Sequence, residues 1–87
     1  MVTRNASEIQ AWMMARLARE LGCPPADIAP DVAFVTLGID SVRAVAIVAD
    51  LGEWAGLDID AGLLWDYPEL SSFSAAIAQE LHQALSA

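Results

Sequence analysis

The chain has 87 residues, of which 56% are apolar, and twelve acidic residues against four basic ones give it a net charge of −8 at pH 7. A chain of this length forms one small domain, so we expect residues 1–87 to be a single domain. The negative charge repels a nucleic-acid backbone, which argues against DNA or RNA as a partner. There is neither a run of about 18 apolar residues nor a signal-peptide pattern, so we expect a soluble, cytoplasmic monomer that does not bind membranes.

The first predicted helix begins near Asn5, because Asn5 and Glu8 have the spacing of a capping box. Gly22, followed by a Pro-Pro pair, ends it. Arg16 lies beside the buried face, so we expect its stem to lie on apolar surface while its guanidinium reaches water. That face consists of apolar residues at intervals of four, namely Ile9, Met13, Leu17 and Leu21.

The segment from residue 24 to residue 40 has no helical periodicity, yet it is too apolar for a free linker. We therefore expect a long loop that packs down onto the helices. Gly38 gives the loop the backbone freedom to turn into the next helix. Cys23 is the single cysteine, which excludes an internal disulfide and predicts a small buried hydrophobe in a reducing compartment. The apolar loop residues are Ile28, Val32, Phe34, Val35 and Leu37.

The second predicted helix runs from about Ser41 to Trp54, with Asp40 or Ser41 as its N-cap and Gly56 near its end. Both of its faces are apolar, and in so small a domain only one of them can belong to the core. We assign to the core the face with the larger side chains, which holds Ala44, Ile47, Val48 and Leu51. The opposite face holds Val42, Val45, Ala46 and Ala49. Bordered by acids such as Glu53, it is an exposed apolar strip typical of partner binding, unless the helix is buried on both sides.

Two further helices complete the prediction. Asp60 is a candidate cap for a short third helix, which Pro68 ends. Ser71 is a candidate cap for the last helix. The third helix includes Leu63, Leu64 and Trp65, and the buried face of the last helix consists of Leu70, Phe73, Ile77 and Leu81. The predicted fold is all-α, a small four-helix bundle with a short third helix and a long packed loop between helices 1 and 2.

Ser41 is the most informative residue for function. It places a free hydroxyl at a helix start, where unpaired N–H groups and the positive end of the helix dipole favour an anion. This position suits the attachment of a phosphate-linked group. A catalytic serine is disfavoured, because His82 is the single histidine and a Gly-x-Ser-x-Gly elbow is absent. We therefore predict no enzyme activity, and we find no ligand spacing that predicts a metal site.

The stretch F-V-T-L-G-I-D-S-V-R-A-V-A-I-V-A-D-L, from Phe34 to Leu51, and the later L-L-W-D-Y-P-E-L resemble the acyl carrier protein family. The resemblance extends over nearly the whole chain. It implies the acyl-carrier fold, with 4′-phosphopantetheine from coenzyme A attached to Ser41 and acyl groups held on its thiol as thioesters. It also implies that Asp40 helps to present the serine. The family's recognition surface is the second helix, which places partner docking on Val42, Arg43, Val45, Ala46, Ala49, Asp50 and Glu53.

The same resemblance implies the partners. They are a phosphopantetheinyl transferase, a loading enzyme (an adenylating ligase or an acyltransferase) and a ketosynthase or other acyl-processing enzyme. Ile39 and Ala46 depart from the usual family pattern, whereas Arg43 is common in carriers of polyketide-synthase type and favours polyketide or related biosynthesis. The chain begins at Met1 and ends soon after its fourth helix, which predicts a free-standing carrier.

Two alternatives stay open. One is a peptidyl carrier of a nonribosomal peptide pathway, although such carriers usually have a second glycine where Ile39 follows Gly38. The other is an unmodified acidic helical adaptor in which Ser41 is only a cap.

Overall fold

The computed structural model describes the backbone of residues 4–86 and the side chains of residues 4–84. Within this range there are four α-helices, which are α1 at Ala6–Leu21, α2 at Ser41–Ala55, α3 at Leu63–Asp66 and α4 at Leu70–Ser86. A 3₁₀-helix at Pro25–Asp27 lies in the loop between α1 and α2. The all-α prediction, with its short third helix and long first loop, is confirmed.

The ends of the two long helices before α3 follow local signals in the sequence. At the start of α1, the Asn5 side chain accepts the Glu8 N–H at 2.8 Å, and the Glu8 carboxylate accepts the Asn5 N–H at 3.2 Å. This is the predicted capping box. Gly22 and Gly56, both with φ of +71°, end α1 and α2 in the left-handed conformation that glycine adopts without strain.

The core lies between the helices, and among them α1 and α4 have the most extensive contact. Phe34 from the loop meets Phe73 of α4 edge to face, with ring centroids 5.7 Å apart. Full burial of each large apolar side chain contributes roughly 1.5–3 kcal/mol, so this cluster is the main source of stability. Its members are Ile9, Met13, Leu17, Ala18, Ile28, Phe34, Ile39, Ala44, Ile47, Val48, Leu51, Leu64, Leu70, Phe73 and Ile77.

The loop between α1 and α2 is fixed to the segment before α4 by backbone hydrogen bonds. The Phe34 N–H donates to the Pro68 carbonyl at 2.9 Å, and the Ser71 N–H donates to the Pro30 carbonyl at 2.8 Å. Together with the buried side chains of Ile28, Phe34 and Ile39, these bonds confirm that the loop packs onto the helices.

An aromatic contact joins the first half of α1 to the end of α2. The Trp12 and Trp54 rings stack with centroids 5.4 Å apart and planes inclined by 20°. The Arg4 guanidinium lies over the Trp54 ring, 4.3 Å from its centroid. Stacked rings and a cation over a ring each add a modest stabilisation, so this cluster holds the two helices side by side.

Some predictions for the connecting segments were wrong. Val35 is 74% exposed and does not pack onto the helices, and Cys23 is only partly buried against the core. Ser71 does not cap α4, because the helix begins one residue earlier. Asp60 is not the N-cap of α3, although its carboxylate accepts the Gly62 N–H at 2.9 Å in the turn leading into that helix.

Among the described residues, we find no helix with the length and hydropathy that a membrane span requires.

Candidate functional site

The start of α2 is organised by Asp40. Its backbone is extended, with φ of −83° and ψ of 175°, and its carboxylate accepts the Arg43 N–H at 2.8 Å. Asp40 is therefore the N-cap of this helix, which decides between the two predicted candidates. Gly38, with φ of +82°, makes the preceding turn in a conformation that other residues rarely adopt.

Ser41 is the first residue of α2, and it is exposed to solvent. The first N–H groups of a helix have no intrahelical acceptor, and the helix dipole adds a partial positive charge there. An anion bonded to the Ser41 oxygen would lie beside these donors. The site thus combines a free hydroxyl with a favourable environment for a phosphate.

A cleft of about 380 Å³ opens beside Ser41, and we name it the Ser41 cleft. Its walls come from the loop, from the first turn of α2 and from α3. Trp65, on α3, is 70% exposed although it is a large aromatic residue. Apart from Asp40 and Ser41, the cleft has apolar walls, which include Phe34, Val35, Ile39, Leu64 and Trp65.

Sequence reasoning did not find the Ser41 cleft. Val35 and Trp65 directly follow other apolar residues in short segments without periodicity, so nothing in their spacing distinguishes a cleft wall from the core. The one signal available is the proximity of the loop to Pro68, and it emerges only when the chain is folded.

The exposed strip on α2 has the position that its helical phase predicts. Val42 is 79% exposed and Val45 is 56% exposed, and Ala46 and Ala49 are exposed as well. The core face of the helix is buried as predicted. Burial of α2 on both sides is therefore excluded, and the helix presents an apolar surface next to Ser41.

Arg43 and Asp50, two of the predicted docking residues, lie on the side of α2 that faces α1 and have ion-pair partners there. The Arg43 guanidinium is 3.9 Å from Glu20, and the Asp50 carboxylate accepts the Arg16 Nε–H at 3.0 Å. Arg16 also approaches Glu20, at 3.5 Å. The predicted stem burial of Arg16 is confirmed by a side chain only 14% exposed, but its guanidinium binds carboxylates and does not simply reach water.

We also searched the described residues for metal-binding and catalytic groups. No group of three or more His, Cys, Asp or Glu side chains among them is arranged to hold a metal ion. His82 lies on the exposed surface of α4, whereas Ser41 begins α2. Ser41 itself, exposed at the start of α2, suits covalent modification of an accessible hydroxyl.

Comparison with known families agrees with this geometry. Residues 11–77 match the family described as phosphopantetheine attachment site. The chain belongs to this family. It is a phosphopantetheine carrier, and members of the family hold substrates without catalysing a reaction themselves. Carrier domains act together with a phosphopantetheinyl transferase and with the modules of a synthase.

Individual relatives come from two kinds of pathway. The carrier is 26% identical over 72 residues to a phenolphthiocerol/phthiocerol polyketide synthase protein of Mycobacterium tuberculosis, and this match covers 83% of the chain but 4% of that protein. Among solved structures, it resembles a free-standing peptidyl carrier protein of a secondary metabolic pathway from Acinetobacter baumannii, with 30% identity and a TM-score of 0.82. That match covers 88% of this chain and 96% of the other.

A second solved structure is the HMG-ACPI domain of the CurA module from Lyngbya majuscula. It is 36% identical to this carrier, with a TM-score of 0.80, and the match covers 92% of this chain and 81% of the other. Both likenesses establish the carrier-protein fold that the resemblance predicted.

Proposed function

We propose that Ser41 is the residue that receives 4′-phosphopantetheine, and that this carrier transfers acyl intermediates as thioesters in polyketide or related biosynthesis. The observation that carries the proposal is the capped start of α2, where Asp40 holds the first turn and leaves the Ser41 hydroxyl exposed. The transferred phosphodiester gains from the helix dipole at that place. The match to the attachment-site family supports the same serine, since the matched region includes it.

In this proposal Asp40 has two roles. As the N-cap it fixes the direction of the first turn, and as a carboxylate next to Ser41 it helps to present the serine to the transferase. The exposed strip, with Val42 and Val45 as its largest side chains, provides an apolar surface for docking of the transferase, of a loading ligase or acyltransferase and of a ketosynthase. We infer that the carrier acts as a monomer in the cytoplasm, in keeping with its lone cysteine.

The test is a modification assay. The purified protein is incubated with coenzyme A and a broad-specificity phosphopantetheinyl transferase, and its intact mass is measured. We expect one added phosphopantetheine arm, located on Ser41 by peptide mass spectrometry. Ser41→Ala should abolish the mass change, and Ser72→Ala, at a serine on α4, should leave it intact. An unmodified wild-type chain, or an arm found on another serine, would refute the proposal.

A peptidyl carrier is the second candidate, because the Acinetobacter baumannii protein, a peptidyl carrier, matches this chain along most of both lengths. The polyketide assignment is supported instead by Arg43 and by the synthase relatives. Offering the modified carrier to an adenylation domain with amino acids, and to an acyltransferase with acyl-coenzyme A, separates the two. Loading with an amino acid alone would favour the peptidyl carrier.

A further inference from the structure

The basic residues of the chain are confined to its first half. All four arginines lie at or before position 43, and there is no lysine. Three of them, Arg4, Arg16 and Arg43, lie within 4 Å of carboxylates on α1 or α2. Glu80, the acidic residue of α4, has no ion-pair partner in the part of the chain that the structure describes. Its charge is therefore not neutralised within residues 4–84.

A small cleft between α3 and α4 includes Glu80, and we name it the α4 cleft. It is lined by Leu63 and Tyr67 on the α3 side and by Ala76, Gln79, Glu80 and Gln83 on α4. The four α4 residues have the spacing i, i+3, i+4 and i+7, which places them on one face of the helix. The volume is about 200 Å³, below the range of about 300–1,000 Å³ that is typical of cofactor sites. The α4 cleft therefore suits the end of one side chain and not a cofactor.

The lining of the α4 cleft combines one carboxylate, two amides and one phenol ring. Gln79, Glu80 and Gln83 are exposed, so their oxygens are accessible to a ligand. Tyr67 is 39% exposed, and an aromatic ring attracts a cation that lies over its face. A guanidinium uses both kinds of group, because its planar fork donates two parallel hydrogen bonds to a carboxylate and stacks on a ring. The ammonium of lysine is a compact point charge and matches this set of groups less well.

We propose that the α4 cleft binds the side chain of an arginine from a partner protein. The guanidinium donates to the Glu80 carboxylate and lies against Tyr67, and the amide oxygens of Gln79 and Gln83 accept its remaining N–H groups. Free arginine fits less well, because its own carboxylate is repelled by a domain with a net charge of −8. The α4 cleft shares no lining residue with the Ser41 cleft. A partner can therefore hold the carrier at α4 while Ser41 stays accessible, which is a contact beyond the proposed transfer of acyl groups.

The proposal is tested by NMR with the unmodified full chain labelled with ¹⁵N. The probe is the peptide Ac-Ala-Arg-Ala-NH₂, titrated to high millimolar concentration at low salt. One comparison peptide has citrulline in place of arginine, which keeps the shape and removes the charge, and the other has lysine. We expect amide shifts concentrated in residues 63–67 and 76–83 with the arginine peptide, weaker binding of the lysine peptide and almost no shifts with the citrulline peptide.

Four variants make the test specific. Glu80→Gln should weaken binding of the arginine peptide roughly 2- to 5-fold, as expected for the loss of one exposed ion pair. Asp27→Asn, at an exposed site outside the α4 cleft, also removes one negative charge and should leave the affinity unchanged. Tyr67→Leu should weaken binding by roughly 2- to 5-fold, because the cation loses the ring, whereas Tyr67→Phe keeps the ring and should keep the affinity. Unchanged binding in Tyr67→Leu would contradict the assignment of a guanidinium.

Equal effects of Glu80→Gln and Asp27→Asn would overturn the proposal, because binding would then follow net charge. Equal affinities for the arginine peptide and either comparison peptide, or shifts centred on α2, would overturn it as well. Shifts in residues 76–83 on dilution of the free chain would also overturn it, since Arg19, exposed on α1, would then supply the arginine from a second copy. The spectra of the free variants show that each one is folded. Because the assay uses the unmodified chain, its outcome does not depend on whether Ser41 receives phosphopantetheine.

Discussion

Replacing Ser74 by alanine should stabilise the domain. Ser74 lies in α4 with no exposed surface, and its hydroxyl oxygen has no hydrogen-bond partner among the described residues. A buried polar group without a partner costs roughly 1–3 kcal/mol relative to water. Alanine removes that oxygen and is also favoured in a helix by up to about 0.5 kcal/mol.

Removal of the hydroxyl oxygen leaves a gap smaller than a methyl group, and such a gap lowers the free energy of unfolding by less than about 1 kcal/mol. The free energy of unfolding of Ser74→Ala should therefore increase by about 1–2 kcal/mol. In a domain of this size, that corresponds to a rise in Tm of roughly 4–16 °C. Urea and thermal unfolding followed by circular dichroism measure both quantities, with an unchanged m value as the sign that only stability has changed.

Ala75→Ser is the matched control, because position 75 is the next residue of the same helix and is exposed. This variant measures the difference in helix propensity between alanine and serine at a site where the hydroxyl is not buried. We expect its free energy of unfolding to decrease by no more than about 0.5 kcal/mol. If Ser74→Ala were as stable as the wild type or less stable, the hydroxyl would have a native partner, and the reasoning from an unsatisfied buried group would be refuted.

Three other substitutions test the local geometry. Asp40→Ala removes the acceptor of the Arg43 N–H and should lower the free energy of unfolding by about 0.5–2 kcal/mol, whereas Asp40→Asn keeps a cap; equal losses in urea titrations would contradict this. Gly52→Ala places a Cβ 2.7 Å from the Leu57 carbonyl oxygen. The displaced backbone costs about 1–3 kcal/mol, against a gain in helix propensity of about 1 kcal/mol, so we expect a net loss of up to about 2 kcal/mol and altered amide shifts in residues 56–61; a more stable variant would argue against the close approach. Trp54→Ala removes the ring that stacks on Trp12 and contacts Arg4. The free energy of unfolding, measured in urea, should decrease by about 1–2 kcal/mol, and an unchanged value would contradict a stabilising role of this cluster.

The features that could be predicted from the sequence depend on residues near each other along the chain. The capping box at Asn5 and Glu8 closes within one helical turn, so its spacing is sufficient evidence. The exposure of Val42 and Val45 follows from helical phase once the opposite face is assigned to the core. The position of Ser41 at the start of α2 was also predictable from neighbouring residues, because Gly38 and Asp40 mark the start of the helix.

The features that could not be predicted depend on contacts between distant segments. Arg16 and Asp50 are 34 residues apart, and no pattern in either helix indicates that they meet. Without knowledge of this pair, Asp50 is indistinguishable from the other exposed residues of α2 that the family resemblance assigns to docking. A cleft between α2 and residues 56–61 was missed for a similar reason, because its walls at Val45 and Leu57 come together only when the chain reverses after Gly56.

The pairing of α1 with α4 means that the first and last helices complete the same core. Both helices place their buried residues in one core, together with residues of α2 and of the loop before it. Because the two helices are far apart in sequence, the core is complete only when both ends of the described chain have folded. A deletion within either helix would therefore leave the core open on that side, however far along the chain the other helix lies.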